Sequence, residues 1–303
     1  MSKKFILTIF LIVLMSLSSA HAEKCFSLTI NPIPKDFPKL SLLILADSKI
    51  GNASIKDMVC EIYPHPRTAL FVLIDQTVGF SKDFAERSLR KIISRLKPGN
   101  FIEVISFSSS VRGHYTKIAV KGMIDPNLSE DLYNRLPIKY IKLLKILHKK
   151  QILISKAIIA REARKVFQLS NRSIPKSEIV TTLKEVSNYI RNFKADKKIV
   201  LIISDMLENS DITSFYYKGH IRKINPLLEL KKIKKAGFLS DFGGATVYVI
   251  GLGYYWKGES GKRESYLGGE KLMRLKKFWE LYFTESNAKV GEIGTPLILG
   301  EIY

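Results

Sequence analysis

Thr68-Ala69-Leu70-Phe71-Val72-Leu73-Ile74-Asp75-Gln76-Thr77-Val78-Gly79 is the stretch from which the rest of the chain is best read. An unbroken apolar run, Ala69 to Ile74, ends in a carboxylate. A hydroxyl follows two residues later, and then a glycine. An apolar run of this length without alternation predicts a strand buried on both faces, as in a parallel sheet. Polar groups placed where such a strand stops lie at its carboxyl end, which is where open α/β sheets bind ligands. A second run repeats the form: Ile199 to Ile203, then Ser204 and Asp205. A third buried strand is expected over Thr246 to Leu252, entered through Gly243-Gly244.

Helical patterns fill the gaps between these strands. Phe84, Leu89, Ile92, Ile93 and Leu96 follow helical spacing over Ser81 to Leu96, and Lys97-Pro98-Gly99 stops the helix. Asn100 to Ser106 reads as a strand, and Tyr115 to Val120 as a weaker edge strand. Helices are expected over Ser177 to Phe193, Leu227 to Ala236 and Leu272 to Ser286. Strands alternating with helices predict an α/β fold: a Rossmann-like, doubly wound, mostly parallel central sheet flanked by helices, with right-handed crossovers.

The chain has 303 residues and is 46% hydrophobic, enough for a sizeable core. Residues 1–22 read as a secretory signal peptide: Lys3 and Lys4, the apolar run Phe5 to Met15, then Ala20-His21-Ala22. No other stretch approaches a membrane-spanning length, so no transmembrane anchor is expected after cleavage and the protein is expected to be exported, to the periplasm or beyond. Residues 23–62 read as an N-terminal extension, and 63–303 as the main domain, with a basic helical insertion at about 126–173. The two cysteines, Cys25 and Cys60, are expected to form one disulfide tying the extension down.

The formal net charge is +21, and loss of Lys3 and Lys4 lowers it only to +19. Such a charge predicts attraction to anionic surfaces, whether an envelope membrane or DNA, unless the lysines are only solvating the surface. The charge concentrates in Ile138 to Leu169, where Lys139, Lys142, Lys145, Lys149 and Lys150 accompany Ile141, Leu144, Leu147, Ile152, Ile158 and Ile159. This predicts an amphipathic element of one or two helices with its apolar side on the core, its lysines either solvated or docking a polyanion or partner. Interleaved aromatics, which single-stranded nucleic acid would stack on, are nearly absent: Tyr140 and Phe167 are the two in the region.

Asp75 and Thr77 are two residues apart and share a face if the chain is extended there. With Asp205 they offer carboxylate and hydroxyl oxygens of the kind a hard divalent cation, Mg2+ or Mn2+, prefers. A phosphatase using Asp75 as nucleophile is the enzymatic alternative, but the position where such enzymes carry a second Asp is Thr77.

The order strand-Asp75-x-Thr77, helix, strand, Ser177 before a helix, then strand-Ser204-Asp205 resembles the von Willebrand factor type A (vWA) domain, over residues 66 to 293. That family carries a metal-ion-dependent adhesion site built on Asp-x-Ser-x-Ser, a later Thr and a further Asp. The resemblance implies that Asp75, Thr77, Ser177 and Asp205 hold the metal. Gly79 stands where the motif has its second serine, and Met206 where a glycine commonly follows the Asp; water or Ser81 is left to replace the missing oxygen. The resemblance further implies a non-enzymatic, exported binding protein of the bacterial envelope, of adhesion or scaffold type, recognising an acidic group on a protein partner. The alternative is a basic, metal-free binder of polyanions or DNA in an envelope or transfer apparatus.

Overall fold

Alternate residues of strand Thr68–Asp75 point into two different cores, and this divides the domain into layers. Phe71 and Leu73 face one side, Leu70, Val72 and Ile74 the other, and all five are buried. In this computed structural model the described residues are 49–50, 53–54, 65–108, 116–127, 129–170, 177–257 and 263–302. The signal sequence 1–22 and the Cys25–Cys60 pairing lie outside them. Of the extension 23–62 the described part is a short antiparallel pair, β1 (Lys49–Ile50) and β2 (Ala53–Ser54).

The central sheet has six strands. In chain order they are β3 (Thr68–Asp75), β4 (Asn100–Phe107), β5 (Lys117–Met123), β6 (Lys197–Ile203), β9 (Thr246–Ile250) and β12 (Lys289–Ile293). Two-stranded antiparallel ribbons supply the other four, β7 (Tyr216–Tyr217) with β8 (His220–Ile221) and β10 (Tyr254–Lys257) with β11 (Arg263–Tyr266). The order across the sheet is β12-β9-β6-β3-β4-β5, parallel throughout except for β5, which runs antiparallel at the edge. The chain moves outward from β3 to one edge, then returns to lay β6 on the other side of β3. The strand order therefore reverses between β3 and β6, and an open α/β sheet forms its ligand crevice at such a reversal.

Helices α1 (Lys82–Ser94) and α3 (Ile138–Leu169) cover the face of Leu70, Val72 and Ile74. Helices α4 (Ile179–Asn192), α5 (Pro226–Lys235) and α6 (Gly269–Glu285) cover the other. A short helix, α2 (Glu130–Arg135), precedes α3. The expected doubly wound, mostly parallel sheet flanked by helices is what the chain forms.

Helix α3 is one uninterrupted helix of 32 residues. From Gln151 onward its inner face (Ile158, Ile159, Ala163, Val166 and Phe167) is core against β4, β5 and α1. Sixth strand β12 was not expected from the sequence. Three of its five residues are exposed, and it carries Gly291 and Glu292, so it shows no buried-strand pattern. The aromatic run of α6 is core: Phe278, Trp279, Tyr282 and Phe283 are fully buried.

Candidate metal centre at the carboxyl end of the sheet

The site is built where β3 and β6 end, side by side. Asp75 is the last residue of β3 and is fully buried. Four donors from three separate segments converge on its carboxylate. Oδ1 accepts from the Thr77 backbone N–H at 2.9 Å and the Thr77 hydroxyl at 2.7 Å. Oδ2 accepts from the Ser204 hydroxyl at 2.7 Å and the Ser177 hydroxyl at 3.1 Å.

Thr77 does not reach this position by strand alternation, as the sequence alone suggested. The strand stops at Asp75, and Thr77 arrives through a turn in which the Asp75 side chain binds the backbone two residues on. The next loop uses the same device twice. Asp205 Oδ1 accepts from the Leu207 N–H at 2.9 Å, and Ser204 Oγ accepts from the Met206 N–H at 2.9 Å.

Both carboxylates are held above the usual range. Burial pushes Asp75 up, against the pull of its four hydrogen bonds. Burial pushes Asp205 up further, and repulsion from Asp75 adds to it. Tyr216 of the β7–β8 ribbon lies at the same place: burial raises its phenol, with Asp205 and Asp75 contributing next. Two acidic groups facing each other in a desolvated crevice are what a bound cation would relieve.

The oxygens fit that role. A hydroxyl that gives its proton to Asp75 turns its lone pairs elsewhere, so Thr77 Oγ1 and Ser177 Oγ are both oriented acceptors. Asp205 keeps capacity beyond its one backbone bond and is partly exposed. Among the described residues there is no cluster of three or more His, Cys, Asp or Glu suited to a metal; this set is two carboxylates and two hydroxyls, a hard-cation set short of a full shell.

Two sequence substitutions have structural reasons. Gly79 has φ +63°, a backbone that glycine adopts without strain. Met206 has φ +59°, the same region without that freedom, and is fixed by burial and by the Trp279 indole N–H, which donates to its carbonyl at 2.9 Å. Ser81 Oγ, the other candidate to replace the missing serine, caps α1 by accepting from the Phe84 N–H at 3.2 Å.

The structure thus brings Asp75, Thr77, Ser177 and Asp205 to one crevice. It adds Ser204 and Tyr216, which the sequence reading did not select. Gly251 and Gly253, which follow β9 and superficially suggest a dinucleotide loop, brace the site instead. Gly253 N–H donates to the Asp205 carbonyl at 2.9 Å, and a Cβ on Gly251 would lie 2.9 Å from the Ser204 carbonyl oxygen. The lysines Lys139, Lys142, Lys145, Lys149 and Lys150 are all exposed on α3 and take no part in this crevice.

No protein-family model matches the chain, and no curated protein matches it in sequence. Solved structures similar to it include an aerotolerance-related membrane protein from Bacteroides fragilis, with 11% identity over 75% of this chain and 92% of that one and a TM-score of 0.32. BatB from Bacteroides thetaiotaomicron gives 10% identity over 76% and 91%, at 0.32. The VWA domain of SpRpn10 gives 9% over 78% and 91%, at 0.31. The strand order, with its single antiparallel edge strand, is consistent with a vWA-like α/β fold. Among the described residues no helix is long and apolar enough to cross a membrane.

Proposed function

We propose that this is an exported, non-enzymatic binding protein of the bacterial envelope whose vWA-like domain recognises a protein partner at the carboxyl end of its sheet. A divalent cation, Mg2+ or Mn2+, would be held by Thr77 Oγ1, Ser177 Oγ and the Asp205 carboxylate, with water completing the shell. It would supply a positive centre for an acidic side chain of the partner. Asp75 holds the two hydroxyls in place and carries the second negative charge. The observation that carries this reading is the convergence of Thr77, Ser177 and Ser204 on the fully buried Asp75, with Asp205 beside it.

The surroundings favour an acidic visitor. Open clefts of about 470 and 440 Å3 flank the Asp75 loop, and each carries one cation beyond an ion pair: Lys82 beside Arg164–Glu86 in the first, Lys117 beside Lys165–Glu162 in the second. The phosphatase alternative fares worse. A nucleophilic carboxylate needs an oxygen that can reach phosphorus, whereas both Asp75 oxygens are buried under two donors each. Export rests on the composition of residues 1–22.

Titration calorimetry and thermal unfolding with MgCl2 or MnCl2 test the reading. Ion at about a hundredfold excess over its Kd should stabilise the parent by about 2.7 kcal/mol and leave Asp75→Ala unaffected. If neither ion shifts the parent, the metal is not part of the function. If it does, capture of a partner from envelope extract should be lost on adding chelator at constant salt.

A further inference from the structure

The amino-terminal half of α3 presents a surface that the crevice does not use. From Leu136 to Arg161 the chain contains no Asp or Glu, while Lys139, Lys142, Lys145, Lys149, Lys150, Lys156 and Arg161 are all cationic. The nearest preceding acids, Glu130 and Asp131, are on α2, and Asp131 is paired with Arg135 at 3.0 Å. The same half exposes aliphatic side chains. Ile138 is 71% exposed, Ile146 56% and Leu153 69%. At about 100° per residue, Ile146 and Leu153 fall on one line of the helix, with Lys142 and Lys149 along one side and Lys139 and Lys150 along the other. Ile141 and Leu144, on the opposite side, are buried. The helix therefore carries two apolar faces, one spent on the domain and one turned outward between lysines.

The place of this surface in the fold is also defined. The far end of α3 reaches the Asp75 loop: Phe167 packs edge-on to Phe80 with ring centroids 5.9 Å apart, and Arg164 holds Glu86 at 2.7 Å. Midway, Gln151 accepts from the Asp125 N–H at 3.1 Å and His148 contacts the Asp125 carbonyl at 2.9 Å. Asp125 follows Ile124, whose N–H donates to the Asn100 carbonyl where β4 begins. The helix thus runs from the amino end of the sheet to its carboxyl end, and the residues before His148 belong to the end away from the crevice.

We propose that this face docks the protein on an anionic phospholipid bilayer, with Ile146 and Leu153 entering the headgroup boundary and the flanking lysines reaching phosphates. Lysine stems lie along apolar surface while their ammonium groups stay at the polar layer, so interleaving with aliphatics suits an interface plane. A nucleic acid would use the lysines and leave the aliphatics exposed. The aromatics it could stack on are engaged within the chain, Tyr140 beneath Lys139 and Tyr133 beneath Lys145, each 4.8 Å from ring centre to Nζ. Docked in this way, with the axis of α3 in the membrane plane, the crevice at the far end of the sheet opens sideways, along the bilayer rather than into it, and stays free for a partner. The two proposals are independent, because no residue is shared between them.

The test uses the full chain and vesicles of phosphatidylcholine with or without phosphatidylglycerol. In Leu153→Trp the added indole fluorescence, taken as the difference from parent, should shift to the blue with phosphatidylglycerol vesicles and stay unshifted with phosphatidylcholine alone. This readout is local, so the apolar run Phe5 to Met15 cannot produce it. In sedimentation with the same vesicles, Lys142→Gln, Lys149→Gln and Lys150→Gln combined should weaken binding about a hundredfold, at about fivefold per lysine. Ile146→Ser with Leu153→Ser should weaken it about tenfold or more, with helicity and thermal midpoint unchanged because both sites are exposed. An unshifted indole overturns the proposal. So does binding that depends on the lysines but not on the aliphatics and is matched by duplex DNA, which would make the face a polyanion binder only.

Discussion

The loops after β3 and β6 begin alike and are finished differently. Each opens with an acidic side chain that binds the backbone N–H two residues on, Asp75 to Thr77 and Asp205 to Leu207. Asp75 then collects three hydroxyls and is wholly buried, while Asp205 has one backbone bond and stays partly exposed. The first loop turns on a glycine with positive φ, Gly79. The second turns on Met206 in the same region, held there by Trp279. An Asp at a strand end is therefore not one kind of residue. Asp75 is the hub that orients the oxygens, and Asp205 is the carboxylate with room to take a cation.

The largest expected effect follows from removing the hub. Asp75→Ala leaves three hydroxyls and one N–H without their acceptor in a buried crevice. At about 1–3 kcal/mol per stranded group, offset by release of a buried carboxylate, the loss should be about 4 kcal/mol in denaturant unfolding, with ion binding abolished. A loss under about 1 kcal/mol would mean the convergence of donors adds little to the fold.

Next in size is a pH effect from the second loop. Glu208 is fully buried, and its carboxylate accepts from the Val180 N–H at 2.9 Å, where α4 begins without a side-chain cap of its own. Burial pushes Glu208 up to about 8. Its unfolded value is lower, so the unfolded chain releases the proton first. Stability is full at low pH and falls as pH rises from about 5 through 8, by up to about 1.4 kcal/mol per pH unit. Thermal midpoints across that range should decline in the parent, and the decline should be shallower in Glu208→Gln. Equal slopes would mean that Glu208 does not titrate there.

A smaller effect, of opposite sign to that of Asp75→Ala, is expected at Asp205. Its ionised form is disfavoured by burial and by Asp75. Asp205→Asn keeps an oxygen for the Leu207 N–H and removes the repulsion, so at neutral pH without divalent ion it should stabilise by about 1 kcal/mol while weakening ion binding. Destabilisation by the same substitution would erase the distinction between hub and ligand.

What was legible in the sequence follows the same physical line. Strands buried on both faces, Ala69 to Ile74 and Ile199 to Ile203, must be continuous apolar runs and could be read directly. Both site carboxylates were visible because they end such runs. β12 was not, because an edge strand can be polar and still pair. Ser204 stood in plain view beside Asp205, yet its role comes from the register of β6 on β3, which places Ile203 opposite Ile74 and so the next residue beside Asp75. Tyr216 arrives on a ribbon of two-residue strands too short for any periodicity, and the Lys218-Gly219 turn is its one local signal.

The smallest effect concerns Gly79, where the vWA-type motif has a serine. Alternation of side chains holds only on extended backbone, and here the strand has already ended at Asp75 and the chain has bent before reaching φ +63° at residue 79. A side chain at 79 therefore has no geometric claim to the face shared by Asp75 and Thr77. A non-glycine residue held in this region costs about 1 kcal/mol. Gly79→Ser should accordingly lower the thermal midpoint by about 2–4 °C and leave Mg2+ affinity within about threefold of the parent. Affinity rising tenfold instead would show that the loop can rebuild itself around the added oxygen, and that the first loop lacks a ligand rather than having traded it for a turn.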